Sequence, residues 1–149
     1  MPRPTFFVTA VCHERASIFR NQSYADLFTR MLYHYRSEGK YEIHEFVVMH
    51  DHVHLIITPA ENLSLERVMQ FLKGGYSHRA GKELSSKREI WQRSFTHESI
   101  RSADAYAGFR NYIWMNPVRK GYCVNPEEFP YSSASGKYEL DAVPKHIRG

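Results

Sequence analysis

Cysteine is nearly missing from this chain. Cys12 and Cys123 are its only thiols in 149 residues, too few and too far apart for a thiolate zinc site or a disulfide framework. A reducing compartment is the expectation. No apolar run approaches the roughly 18 residues of a membrane span, and no basic start leads into an apolar leader. Internal repeats and low-complexity segments are also absent. These gaps exclude secreted disulfide scaffolds, membrane spans and solenoids. They leave one globular domain over 1–149, expected in the cytoplasm. At 42% hydrophobic and 14% aromatic it can bury a core of its own. The formal charge of +4 suits a polyanionic partner without demonstrating one.

The stretch from Val47 to Thr58 sets two apolar β-branched runs around a short polar break, the pattern of a hairpin. Past the break stand His52 and His54. On an extended backbone side chains alternate, so both imidazoles leave one face while Val53 points behind the sheet. Two neutral imidazoles on a strand make half of a divalent-metal site. A solvated or core-edge pair has the same spelling. His50 shares their parity but lies beyond the turn, and is read as a surface residue.

A second pair lies far along the chain. Ser102 is a candidate N-cap, the helix should run from Ala103 to Met115, and Pro117 should stop it. Tyr112 and Asn116, four residues apart, then share a face. A tyrosine hydroxyl can leave a stable ester on phosphate, and an asparagine offers a neutral oxygen to a hard cation. The plainer alternative is a packed tyrosine and a helix-capping asparagine. Among the ten tyrosines, Tyr106 sits six residues earlier, about 240° around the helix, and cannot share that face.

The remaining pattern reads as follows. Thr5 to Val11 is a strand and Cys12 to Asn21 a loop. Ser23 to Glu38 is a helix with Leu27, Met31 and Leu32 inward. Tyr41 to Val48 and Val53 to Thr58 are strands. Ser64 caps a second helix that buries Leu65, Val68, Met69 and Leu72, with Gly74-Gly75 as an interruption. Ile90 to Thr96 is the expected fourth strand. An irregular tail begins at about 121. Strand, helix, strand, strand, helix, strand is the ferredoxin-like (RRM-like) α+β plan: an antiparallel sheet with helices on one face, here with an extra C-terminal helix.

These pieces in order resemble the HUH nucleases, and more closely the single-tyrosine transposases of bacterial insertion sequences. Within them the chain is most similar to the branch associated with repetitive extragenic palindromes (REP). The resemblance rests on Phe7-Val8-Thr9, His50-Asp51-His52-Val53-His54-Leu55, Leu72-Lys73 with Tyr76-Ser77, and Trp91-Gln92-Arg93-Ser94-Phe95. It continues through Ile100-Arg101, Tyr112-Ile113-Trp114-Met115-Asn116-Pro117-Val118-Arg119 and Tyr131-Ser132-Ser133. The chain departs from that family at His50, where Pro is usual, and at His97, often acidic.

The resemblance implies that Tyr112 attacks single-stranded DNA beside a hairpin, keeps the 5′ phosphate and frees a 3′-OH. His52, His54 and Asn116 would hold Mg²⁺ or Mn²⁺, with two imidazoles favouring Mn²⁺. Arg15, Lys73, Arg79, Arg93, Arg101, Arg119 and Lys120 are candidate phosphate contacts. The partner is single-stranded or hairpin DNA in the nucleoid, bound by a monomer or a homodimer. Three rivals stand beside this reading. A replication initiator or relaxase would share the histidine strand but carry Lys where this chain has Asn116. A ferredoxin-like nucleic-acid-binding module would lack catalysis, yet its sheet aromatics are not obvious here. A two-histidine phosphoesterase would need His97-Glu98-Ser99 as its second strand.

Overall fold

Alternation along the strands decides which side of the sheet each residue serves. In the computed structural model, which describes residues 3–148, four strands pair antiparallel in the order β2-β3-β1-β4. They are β1 (Thr5–Val11), β2 (Tyr41–Val48), β3 (His52–Pro59) and β4 (Thr96–Ile100). Residues 1, 2 and 149 of the expected 1–149 unit lie outside the described range. Helix α1 (Gln22–Ser37) joins β1 to β2, and α2 (Leu65–Glu83) joins β3 to β4. This is the expected ferredoxin-like order. Val8 and Ala10 of β1, with Val53, Leu55 and Ile57 of β3, meet Leu27, Phe28 and Leu32 of α1 and Val68 and Leu72 of α2. The opposite parity, Phe7 and Ile56 with Val47, Met49 and Ile100, meets Tyr106 and Ile113 of α3 (Ala103–Arg119). A bulge between Ile43 and Glu45 flips the parity of β2. Ile43 and Phe46 therefore share the first core, while Val47 joins the second.

Three expectations change. The fourth strand is Thr96–Ile100, not Ile90–Thr96. Ile90 and Trp91 are buried in the first core as part of a loop, with the Gln92 N–H donating to the Val11 carbonyl at 2.9 Å. Gly74-Gly75 does not interrupt α2. Gly75 instead admits the Tyr35 ring, which a Cβ there would strike. Pro117 does not stop α3 either. It forfeits one bond to the turn before it, yet the Lys120 N–H closes onto the Asn116 carbonyl at 3.1 Å and the helix runs on to Arg119.

After α3 the chain makes three short 3₁₀ turns, at Pro126–Glu128, Ser133–Ser135 and Lys145–Ile147. This segment lies along the outer edge of β2. The Val48 N–H donates to the Tyr131 carbonyl, and the Asp141 N–H to the Ile43 carbonyl, both at 2.8 Å. Arg36 clamps the Asp141 carboxylate through two bonds of 2.9 and 2.8 Å. An edge that would otherwise expose its backbone is thereby covered.

Candidate functional site

The site is built where α3 crosses the sheet. β1 and β3 run side by side with Thr9 opposite His54 and Val11 opposite His52, so both imidazoles rise on the α3 side. The helix covers them: His52 is 8% and His54 4% exposed, rather than facing open solvent. Their Nε2 atoms converge to 3.1 Å. Each ring is fixed from behind. His52 Nδ1 lies 2.6 Å from the Asp51 carboxylate, and His54 Nδ1 lies 2.8 Å from the Thr9 hydroxyl. The Asp51 carboxylate only accepts, so His52 Nδ1 carries the proton and its Nε2 lone pair faces His54; where Thr9 likewise accepts from His54 Nδ1–H, both Nε2 lone pairs face one another. That pairing is unfavourable unless a cation lies between them.

Electrostatics agree with the neutral tautomers. Burial, then repulsion from His52 and Arg119, lowers His54 to about 3. Burial also lowers His52, outweighing the pull of Asp51. Burial works against ionisation at Asp51, but His52 and Arg15 overcome it and hold its carboxyl below the usual range.

Asn116 reaches the same cleft from the last turn of α3 and is 4% exposed. Its Nδ2 is buried with no hydrogen-bond partner. The two ends of an amide exchange by a half-turn, so this orphaned position can present Oδ1 to a cation instead. Among the described residues no three His, Cys, Asp or Glu side chains cluster as a metal cage. The donor set is two imidazoles and an amide, which fits a hard to borderline divalent ion with positions left open.

Tyr112 stands one turn before Asn116 and is 45% exposed, unusual for a large ring. It lies edge-on to His54 at 5.3 Å and to Phe7 at 6.0 Å. The Arg119 guanidinium covers its ring at 4.7 Å and donates to its carbonyl at 2.8 Å. The open cleft holding these groups has a volume of about 820 Å³ and is also lined by Arg15, Glu98, Phe109 and Lys120. Tyr106 is buried in the α3 core, where burial pushes its hydroxyl well up.

The structure gathers only some of the candidate phosphate contacts. Arg15 and Lys120 line the cleft, and Arg119 adjoins it over Tyr112. Lys73 and Arg93 line a separate hollow beside α2, and the Lys73 ammonium is spent on the Gln92 and Ser94 carbonyls at 2.8 and 3.3 Å. Arg79 is exposed on α2, and Arg101 is exposed between β4 and α3. The His50 ring lies flat on Tyr122 at 3.8 Å. His97 and Ser99 pair with Val8 and Phe6, on the face away from the cleft, so no second histidine strand joins the site. Sequence reasoning missed Asp51 and Thr9. Asp51 adjoins His52 in the chain and could have been flagged; Thr9 needs the cross-strand register.

The family model described as IS200-like transposase matches residues 5–116 of this chain. A REP-associated tyrosine transposase of Escherichia coli (strain K12) is 26% identical over 143 residues, covering 92% of this chain and 83% of that protein. A putative REP-associated tyrosine transposase of Haemophilus influenzae is 25% identical, covering 97% and 87%. In fold, the chain superposes on a REP-associated tyrosine transposase bound to a REP hairpin with a TM-score of 0.76, at 24% identity and 100% and 90% coverage. A putative transposase of Deinococcus radiodurans gives 0.58 at 18% identity, covering 76% and 90%.

Proposed function

The chain belongs to the IS200-like transposase family, and from that premise we propose a divalent-cation-dependent endonuclease and strand transferase for single-stranded DNA beside a hairpin. Its relatives are tyrosine transposases, enzymes that cleave DNA and transfer strands, and the chain is an enzyme of that class. One observation supports the finer reading above all: a half-exposed Tyr112 set against converging neutral imidazoles and an orphaned asparagine in one cleft.

Tyr112 Oη attacks the scissile phosphorus, forming a phosphotyrosine with the 5′ phosphate of the downstream fragment as the P–O3′ bond breaks and the upstream fragment leaves. The phenol gives up its proton and the departing 3′ oxygen gains one. The bond energy stays in the ester, so the freed 3′-OH can reverse the step without ATP. His52, His54 and Asn116 would hold the cation, Mg²⁺ or Mn²⁺, which when bound would supply positive charge to stabilise the phosphate in the transition state. Arg119 steadies the Tyr112 ring, and Lys120 adds cationic charge at the mouth of the cleft. Hairpin DNA is the proposed partner because a REP hairpin is bound by the structural relative. The enzyme acts on the nucleoid in the cytoplasm, as a monomer or a homodimer.

The test is denaturant-resistant adduct formation with Mn²⁺ on matched single-stranded, hairpin-flanked and fully duplex oligonucleotides. Adduct is expected on the first two and not on the duplex, and Tyr112→Phe should abolish it. Survival of the adduct in Tyr112→Phe, with loss in Tyr106→Phe, moves the nucleophile. No adduct at all, with equal binding to RNA, favours the non-catalytic module.

A further inference from the structure

Residues 12–19 wrap the turn that delivers His52. The Cys12 N–H donates to the Asp51 carbonyl and the Phe19 N–H to the His50 carbonyl, both at 2.9 Å. Between these anchors Glu14 and Arg15 hold φ of 53° and 52°, two consecutive left-handed residues that are not glycine. Side chains avoid that region, and it persists only where surrounding contacts over-determine it. Here it turns the Arg15 guanidinium back over the β2–β3 turn. Nη1 donates to Asp51 Oδ2 at 3.2 Å, while Asp51 Oδ1 faces His52 Nδ1 at 2.6 Å. Each carboxylate oxygen thus has its own donor.

We infer that Arg15 is a positioning residue: held in its left-handed turn, it locks Asp51 onto His52 Nδ1 and so keeps His52 Nε2 unprotonated and aimed at His54. This deepens the cation-site reading and rests on it for its consequence. Without the guanidinium, the part-exposed Asp51 carboxylate is free to turn to water, and the neutral His52 ring redistributes its proton between its two nitrogens. The Nε2–H tautomer would then donate across the 3.1 Å gap to His54 and close the pair against a cation. His54 has its own partner in Thr9, so only one of the two imidazoles depends on Arg15.

The experiment reads the tautomer directly, in metal-free and DNA-free full-length protein with ¹⁵N-labelled histidine. Wild type should show His52 protonated at Nδ1. Arg15→Gly keeps the turn, since glycine adopts that φ freely, but removes the guanidinium; it should raise the His52 Nε2–H population several-fold and leave His54 alone. Asp51→Ala should go further, and Arg15→Lys should restore part. Glu14→Gly relaxes the same turn with the guanidinium kept, and should match wild type. Calorimetric Mn²⁺ affinity should fall about 10-fold or more in Asp51→Ala and less in Arg15→Gly. If Arg15→Gly leaves both tautomer and affinity unchanged and weakens only hairpin binding, Arg15 is a phosphate contact and the inference fails. If Mn²⁺ does not bind wild type, the cation reading fails, while the tautomer shift still decides the role of Arg15.

Discussion

Strand β3 sends Val53, Leu55 and Ile57 to one face of the sheet and His52 and His54 to the other. The first face is closed by α1 and α2 around Phe19, Phe28, Tyr76 and Trp91, rings packed 5.5 to 5.8 Å apart. The second is closed only in part by α3, and it buries His52, His54, Asn116 and Glu45. Glu45 there accepts from Trp114 at 2.7 Å and Ser133 at 2.6 Å, pinning α3 and the tail to β2. The contrast is instructive. A sheet anchored firmly on one side can hold polar groups at fixed distances on the other, where their desolvation would otherwise be costly.

The largest expected effect separates the faces outright. Tyr112→Phe should remove all covalent adduct, while the unfolding free energy from denaturant titration changes by no more than about 0.5 kcal/mol, because the ring is half-exposed. Leu55→Ala, on the same sheet but inward, should cost about 2–5 kcal/mol, with the folded fraction still forming adduct. A Leu55→Ala protein of native stability that forms no adduct would break the division.

Next come the histidines. His52→Ala and His54→Ala should each abolish measurable Mn²⁺ binding and cleavage together. Because both rings are buried and hydrogen-bonded, each should also lower stability by about 1–3 kcal/mol. Calorimetry showing unaltered Mn²⁺ affinity in both would sink the cation assignment.

The paired histidines and the Tyr112–Asn116 spacing were legible because strand and helix periods are local. What was hidden depends on pairing between distant segments. Ile90, Trp91 and Phe95 look like strand residues by composition, but they plug the first core from a loop. The true β4 is a polar edge, exposed from Thr96 to Ser99, where one-sided burial leaves no apolar alternation to read. A local rule reads Pro117 as a stop, which the packing of buried Asn116 and Pro117 overrides. The Thr9–His54 bond and the lock of Asp141 on Ile43 need registers that no short window contains.

Acid should weaken the α3 face before the other. Burial lowers His54 to about 3 and also lowers His44, which lies between Thr58 and the Asp141 carbonyl. A histidine takes up its proton in the unfolded chain near pH 6.5, whereas these two resist it when folded. Below that pH the unfolded state binds more protons, so stability falls by up to about 1.4 kcal/mol per pH unit for each group. For His54 the loss ends near pH 3. Urea unfolding of metal-free protein at about pH 7.5 and about pH 5 reads the slope, and His54→Ala should flatten it. Unchanged or rising stability on acidification contradicts the burial of neutral rings.

The smallest effect belongs to the packed face and distinguishes two adjacent glycines of α2. A Cβ at Gly74 meets nothing within 4 Å, whereas one at Gly75 strikes the Tyr35 ring. Alanine in a helix interior is worth about 0.8–1 kcal/mol over glycine, so Gly74→Ala should stabilise by nearly that amount. Gly75→Ala has the same intrinsic gain but must push aside Tyr35, whose ring packs against Phe71 at 6.1 Å. Its net effect should be near zero or unfavourable. In a Tyr35→Ala background the obstacle is gone and the gain at Gly75 should reappear, a coupling that a double-mutant cycle measures. Both glycines lie across the sheet from the cleft, so adduct formation by the folded protein should be unchanged in every member of the cycle. Equal stabilisation by both single substitutions would mean that the Tyr35 ring does not occupy the space above Gly75.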